Sequence, residues 1–319
     1  MSARSTTPAS AHDSFVPLVE PPASSIVVDS GSLPAPRPIV KWAGGKTRLL
    51  PEILPTLLAW MDRPDATGVY HEPFVGGGAV FFALAAAEPR DLPARLADVN
   101  HMLISVYKAA RGHPERMIAS LEAHARQHAR HGADYYYAQR AMTALTAFDV
   151  VEVAARFVYL NKVCFNGLFR VNRRGEFNVP MGAYASPTVC DASAILAASR
   201  ALRAASISRQ PFDRSIAAAD RGDVVLCDPP YLPLKAGAFT AYQDAPFGKA
   251  EHRALASALA EADERGVLVM AHNADVPLAR ELYPESRWDV RRVMAARSVN
   301  SKGSGRGKVG ELIVSSKKK

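Results

Sequence analysis

Short apolar runs alternate with longer segments of helical periodicity along most of the chain. "GVYHEPF" (68–74), "ARLADVN" (94–100), "ASISRQPF" (205–212), "DVVLCD" (223–228) and "GVLVMAHN" (266–273) have the length of buried strands, and most run directly into polar or turn residues. Between several of them, "GGAVFFALAAA" (77–87), "HMLISVYKAARG" (101–112), "DASAILAASRALRAA" (191–205) and "KAEHRALASALAEADERG" (249–266) read as helices. Such alternation predicts a mainly parallel sheet covered by helices, an α/β fold. Ligands of these sheets sit beyond the carboxyl ends of the strands, which is where Glu72, Asp98 and Asp228 fall.

One block breaks the rhythm. From 104 to 190 the chain turns helical and then basic, ending in "VVEVAARFVYLNKVCFNGLFRVNRRGEFNVPMG" (150–182). There Lys162, Arg170, Arg173 and Arg174 interleave with Phe165, Phe169 and Phe177 and with Asn161, Asn166, Asn172 and Asn178. This mixture suits simultaneous contact with phosphates and base edges, and Arg173-Arg174-Gly175-Glu176 reads as a hairpin tip. On composition alone a solvated basic hairpin with aromatics packed beneath it is the better description. The block is expected to be a domain inserted into an α/β framework of residues 37–103 and 191–319, and the Ser-, Ala- and Pro-rich residues 1–36 a disordered leader.

Composition adds three constraints. With 48% apolar and 22% charged residues, the 319-residue chain has enough apolar content for a packed core. Lys and Arg exceed Asp and Glu by 39 to 31, an excess that fits a polyanionic partner, although Lys317, Lys318 and Lys319 supply three of the charges. Cys164, Cys190 and Cys227 are dispersed, so neither a disulfide framework nor a metal site is expected and a reducing cytoplasm fits. No run approaches the ~18 apolar residues of a membrane span, and the first residues lack the apolar centre of a signal peptide.

The chemistry concentrates in two turns. "HEPFVGGGAVFF" puts glycines between a strand and a helix, where they let backbone approach a ligand closely. The dinucleotide fingerprint fails there because its third glycine is Phe81, and "VKWAGGKT" fails as a P-loop because its first glycine is Val40. Asp98, 20 residues beyond Gly78 at the end of the next strand, stands where a carboxylate can take both hydroxyls of an adenosine ribose, unless it serves only to cap the helix from His101. A cofactor with a ribose and no phosphates, such as S-adenosylmethionine, fits this pair. The second turn is "CDPPY". Pro229 and Pro230 lack N–H groups and have fixed φ, so the strand ends in a stiff corner that only accepts hydrogen bonds, with Asp228 and the face of Tyr231 beside it.

With "KWAGGK", "EPFVGGGAVFF", "LADVN", "NKVCFNGLFRVNRRGEFNVPMG" and "CDPPY" in this order, the chain resembles the α-group DNA N6-adenine methyltransferases, the D12 class, and most of all the Dam type that modifies GATC. The resemblance spans about 37–315 and extends to "RSVNSKGSGRGKVGELIV". It implies a Rossmann-like methyltransferase fold with an inserted, mainly helical target-recognition domain containing a β-hairpin. It further implies S-adenosylmethionine as cofactor, double-stranded DNA as partner, a monomer and no metal. Matched to the family's motifs, Lys41, Trp42 and Lys46 stand at the cofactor's methionine end, Phe74, Gly76 and Gly78 form the glycine turn, Asp98 is the ribose acid, and Phe212 lies near the adenine. Asp228, Pro229, Pro230 and Tyr231 are the catalytic tetrad, with Asp228 also facing the cofactor. Arg170 corresponds to a reader of guanine, Leu168 and Pro180 to apolar contacts with thymine, and Phe165 with Asn166 to the pair that invades the duplex; Asn172 and Asn178 are assigned to DNA contact with them. Phe165 replaces the usual tyrosine, and Ala183 a basic residue, which removes one polar contact and weakens the phosphate grip. The rival activities are an amino-methyltransferase on RNA adenine or cytosine N4, and a P-loop nucleotide-dependent DNA-binding protein.

Overall fold

The computed structural model describes residues 33–66, 68–88, 91–143, 149–233, 247–296 and 308–317, so the expected leader lies outside them apart from its last four positions. A seven-stranded sheet contains β1 (Tyr70–Glu72), β2 (Ala94–Asp98), β3 (Ala205–Arg209), β4 (Val224–Cys227), β5 (Leu268–Ala274), β6 (Trp288–Ala296) and β7 (Lys308–Ser316), in the order β3-β2-β1-β4-β5-β7-β6. The first five are parallel, whereas β7 is antiparallel to both β5 and β6. The order runs outward in opposite senses from β1 and from β4, which makes the gap beyond their carboxyl ends the ligand crevice of a doubly wound sheet. The Rossmann-like α/β architecture is therefore present.

The five expected strands form, each trimmed by local chemistry. β1 stops before Pro73, and β3 stops before Pro211, which places Phe212 at the start of a helix instead of the end of a strand. All four residues of β4 are buried, as an apolar strand covered on both faces requires. Helices α1 (Leu50–Met61), α2 (Ala79–Ala87), α3 (His101–Gly112), α4 (Pro114–Ala141), α5 (Val150–Val163), α6 (Ala192–Ala201), α7 (Phe212–Ala217), α8 (Lys249–Glu264) and α9 (Pro277–Leu282) cover the sheet or extend from it. One hydrophobic cluster joins the sheet to α1 through α6, and a second lies beneath α7, α8 and α9. Helix α3 is capped by Asn100, whose side chain accepts from Met102 N and Leu103 N, so Asp98 is released from that duty.

The block from 104 onward begins inside α3 and shares the first cluster with the sheet. Helix α4 breaks at Gly132, where φ is +51°, and α5 is buried along most of its length as the central helix of this region. A capping box at Asp149 and Glu152 starts α5. After it, backbone bridges pair Cys164 with Met181 and Val171 with Phe177, and Gly175 turns the tip with φ +77°, so the expected hairpin is present.

Candidate active site and nucleic-acid interface

The chain leaves β1 through Pro73, Phe74 and Val75 into the turn Gly76-Gly77-Gly78, with φ +47° at Gly76 and +71° at Gly78. The glycines serve a close approach from within the protein. A Cβ on Gly76 would lie 2.8 Å from Trp42 Cδ1, and one on Gly78 3.0 Å from the Tyr107 hydroxyl, which itself donates to the Gly76 carbonyl at 2.6 Å. Asp98 fastens the same turn: its carboxylate accepts from Gly76 N at 3.0 Å and from Asn100 N at 2.9 Å. Burial raises the pKa of Asp98, and those N–H groups oppose the rise. Phe74 stacks on Phe212 with centroids 5.5 Å apart, and Phe247 meets both edge-on, which forms an aromatic wall beside the turn. Phe74, Gly76, Gly78, Asp98 and Phe212 thus come together at one end of the sheet.

At the end of β4, Asp228 meets Lys46 with Nζ 2.8 Å from Oδ1; the same ammonium donates to the Gly44 carbonyl at 2.8 Å and stands 4.7 Å from the Tyr231 ring centroid. Burial pushes the Asp228 carboxyl above its ordinary range and the Lys46 charge pulls it back. Tyr231 is anchored from β7, two strands away in the sheet, its hydroxyl donating to Glu311 Oε2 at 2.8 Å. Beyond it, Leu232 N donates to Asn273 Oδ1 at 3.1 Å, which pins the chain as it leaves the prolines.

Three side chains at this corner carried no assigned role in the sequence. Glu72 is fully enclosed at the end of β1, and burial raises it to about 8, with Asp228 and Asp98 adding to the rise while the Tyr70 hydroxyl bond at 2.9 Å opposes it. His272 on β5 lies 3.9 Å from Asp228 and is pushed down to about 3 by burial, then by Lys46 and Arg291, so it is neutral. Glu311 on β7 is the Tyr231 anchor. Their sequence signal is a polar residue within or ending an apolar strand: "VVLCD" has its counterparts in "YHE", "VMAHN" and "GELIV".

The expected cofactor residues Lys41 and Trp42 are arranged differently from Lys46. Asn161 clamps the Lys41 backbone, accepting from its N–H and donating to its carbonyl, each at 2.8 Å. The Lys41 stem packs on Gly167, its ammonium reaches the Tyr184 hydroxyl at 3.5 Å, and it lines a cavity of about 470 Å³ with Arg37, Lys162 and Asp191. Trp42 lies between the glycine turn and Phe169, whose ring centroid is 5.2 Å away. The segment therefore braces the sheet against the hairpin element, and Lys46 is its member in the carboxylate cluster.

In that element Phe165 and Asn166 are exposed, and Asn166 adopts φ +54°, a left-handed conformation no other non-glycine takes among the described residues. The Pro180 carbonyl accepts from Phe165 N at 2.9 Å, and Leu168 packs half-buried against the core. Asn172 turns inward on the hairpin, its Oδ1 accepting from Arg174 N and Glu176 N and its Nδ2 donating to Glu176 Oε2 at 2.6 Å. Arg170 and Asn178 face each other across the strands: Nε donates to Asn178 Oδ1 at 2.7 Å and Nη2 to the Asn178 carbonyl at 3.0 Å. Among the described residues no group of three or more His, Cys, Asp or Glu could hold a metal ion, and no helix is long and apolar enough to cross a membrane.

The model of the D12 class N6 adenine-specific DNA methyltransferases matches residues 42–296. The chain is 37% identical over 284 residues to a type II methyltransferase, M1.LlaDCHI, of Lactococcus lactis subsp. cremoris, covering 87% of this chain and 94% of that one. It is 34% identical over 285 residues to the type II methyltransferase M.MjaIII of Methanocaldococcus jannaschii, covering 85% and 95%. Over 279 residues it is 37% identical to a DNA adenine methylase of Escherichia coli strain K12, covering 87% and 94%.

Proposed function

Since the chain belongs to the D12 class of N6 adenine-specific DNA methyltransferases, we propose that it moves the methyl group of S-adenosylmethionine to the N6 of an adenine flipped out of duplex DNA, within GATC. The observation that carries this reading is the corner after β4, where Asp228 stands half-buried 2.8 Å from Lys46 at the head of Pro229-Pro230-Tyr231. The residues beside it fit the cofactor. Asp98 keeps acceptor capacity after its two backbone donors, enough for ribose hydroxyls, while Phe74 and Phe212 offer aromatic faces to an adenine. Bound there, S-adenosylmethionine supplies a methyl carbon activated by its sulfonium.

The protein's own task is to make a poor nucleophile attack. The N6 lone pair of adenine is delocalised into the ring, and the amino group is hidden in the duplex. Asp228 and the carbonyl of Pro229 accept its two hydrogens, which draws the nitrogen toward tetrahedral geometry with the lone pair free. Lys46 opposes the protonation that burial favours at Asp228, and as positive charge develops on N6 the carboxylate becomes the natural recipient of the departing proton. Stacking on Tyr231 helps offset the few kcal/mol that unstacking costs. Residues 104–190 act as the target-recognition part of a monomeric enzyme, with Arg170 reading guanine, Leu168 and Pro180 packing on thymine, and Phe165 with Asn166 entering the duplex; the "NGLFRVNRRGEFNVP" element supports GATC as the site.

The test is to incubate the protein with S-adenosylmethionine and adenine-unmodified plasmid and map N6-methyladenine at single-base resolution. Methylation confined to GATC is expected. Another motif would overturn the recognition assignment alone, and cofactor binding without any methyladenine would turn the search to RNA or to cytosine N4.

A further inference from the structure

The Arg170 guanidinium offers five N–H donors in a planar fork with two useful edges, one formed by Nε and Nη2 and the other by Nη1 and Nη2. Asn178 occupies the first edge completely, its side-chain oxygen at 2.7 Å from Nε and its backbone carbonyl at 3.0 Å from Nη2. The same two residues are joined a third time, because Asn178 N donates to the Arg170 carbonyl at 3.0 Å. The backbone beneath them is fixed by the bridge of Val171 to Phe177 and by the Asn172 turn, so the clamp stands on an ordered hairpin. What remains to Arg170 is the Nη1/Nη2 edge, whose two parallel N–H groups match the O6 and N7 acceptors of a guanine.

We infer that Asn178 is a positioning residue that presents Arg170 to the base, and that its contribution to DNA recognition passes through Arg170 instead of through a phosphate. The inference rests on Arg170 reading a guanine. An unrestrained arginine can turn its fork toward any nearby phosphate, which binds all sequences alike. A clamped one is already oriented and loses less freedom on meeting the base, so its specificity follows from the clamp. Asn178 Oδ1, being committed to Nε, has its acceptor turned toward Arg170, and only Nδ2 is left to reach a phosphate.

The two roles separate in the ratio of kcat/KM on the mapped target duplex to kcat/KM on duplexes with one G·C pair replaced. Asn178→Ala should lower this ratio by ~10-fold, the scale of one bidentate base contact. Asn178→Asp keeps an acceptor for Nε and loses the Nδ2 donor, so it should keep the ratio even if it binds every duplex more weakly. In the Asn178→Ala/Arg170→Ala double variant the ratio should fall no further than in Arg170→Ala alone. Asn178→Ser, whose hydroxyl is too short to replace the amide oxygen, repeats the comparison should alanine loosen the hairpin. An unchanged ratio in Asn178→Ala, or equal losses on all duplexes in both the Ala and Asp variants with a shallower salt dependence, overturns the inference. A ratio that survives Arg170→Ala instead defeats the guanine-reading assignment itself.

Discussion

Asp228 concentrates the chemistry into one largely enclosed carboxylate, and two opposing influences set its charge: burial favours the proton, whereas the ammonium of Lys46 at 2.8 Å opposes it. Replacing Asp228 by Ala removes an acceptor for N6 and should reduce methyl transfer by at least ~10²–10³-fold, on the scale of losing one preorganised group. S-adenosylmethionine binding, followed by calorimetry, should change little, and a variant with full activity would sink the assignment. Tyr231 depends in turn on Glu311, which accepts from its hydroxyl at 2.8 Å. Glu311→Ala should lower kcat by ~10-fold, the worth of one charge-assisted hydrogen bond, with little effect on the KM for cofactor. Glu311→Gln keeps an acceptor and should recover most of the loss, which single-turnover rates on a duplex with 2-aminopurine beside the target can follow together with flipping. The tetrad itself was legible in "DPPY" because prolines that cannot donate mark a local corner. Glu311 was not, since its partner lies 80 residues away and nothing local in "GELIV" says which aromatic it meets.

Among the elements, the joint between the N-terminal segment and the hairpin carries more than its length suggests. Asn161 is fully buried on α5 and satisfies Lys41 N, Lys41 O and Gly167 O together. Asn161→Ala leaves three backbone groups without their partner and should cost ~3 kcal/mol, taking roughly 1 kcal/mol for each lost bond. Urea unfolding should show this as a lower midpoint at unchanged slope, and a stability within ~0.5 kcal/mol of the parent would mean that water replaces the amide. The strands, most helices and the hairpin were readable because apolar runs and turn residues are local signals. The direction of Lys41 was not, because its motif gives only the residue type and a buried asparagine 120 positions away turns the backbone. Asp98 shows the converse: sequence left it between ribose acid and helix cap, and Asn100, two residues on, takes the cap. The pairing of β6 with β7 was also missed, as antiparallel partners leave no alternation with helices to follow.

For the whole molecule, buried titratable groups pull its stability in opposite directions. His124 and His252 are pushed down to about 4, and His272 to about 3, chiefly by burial, from an ordinary value of 6.5. Below 6.5 the unfolded chain therefore binds protons that the folded one refuses, so these groups remove stability as pH falls toward 4. Glu72 acts the other way. Raised from 4.5 to about 8, it holds its proton in the folded state while the unfolded chain has released it, and stability declines as pH rises across that interval. Asp98 and Asp228, raised by burial as well, add to this decline at the acidic end. With His71 and His128 also lowered by burial, the histidines outnumber the three raised carboxyls between 4.5 and 6.5, and above 6.5 the carboxyls act without their opposition. Urea midpoints measured from pH 4 to 9 should thus peak near 6.5, fall steeply on the acidic side and gently on the basic side. Glu72→Gln, neutral at every pH, should flatten the basic limb and leave the acidic one in place. A basic limb unchanged in that variant would mean that Glu72 is already ionised in the folded protein and that Lys46, or water reaching the crevice, offsets more of its burial than the enclosed end of β1 implies.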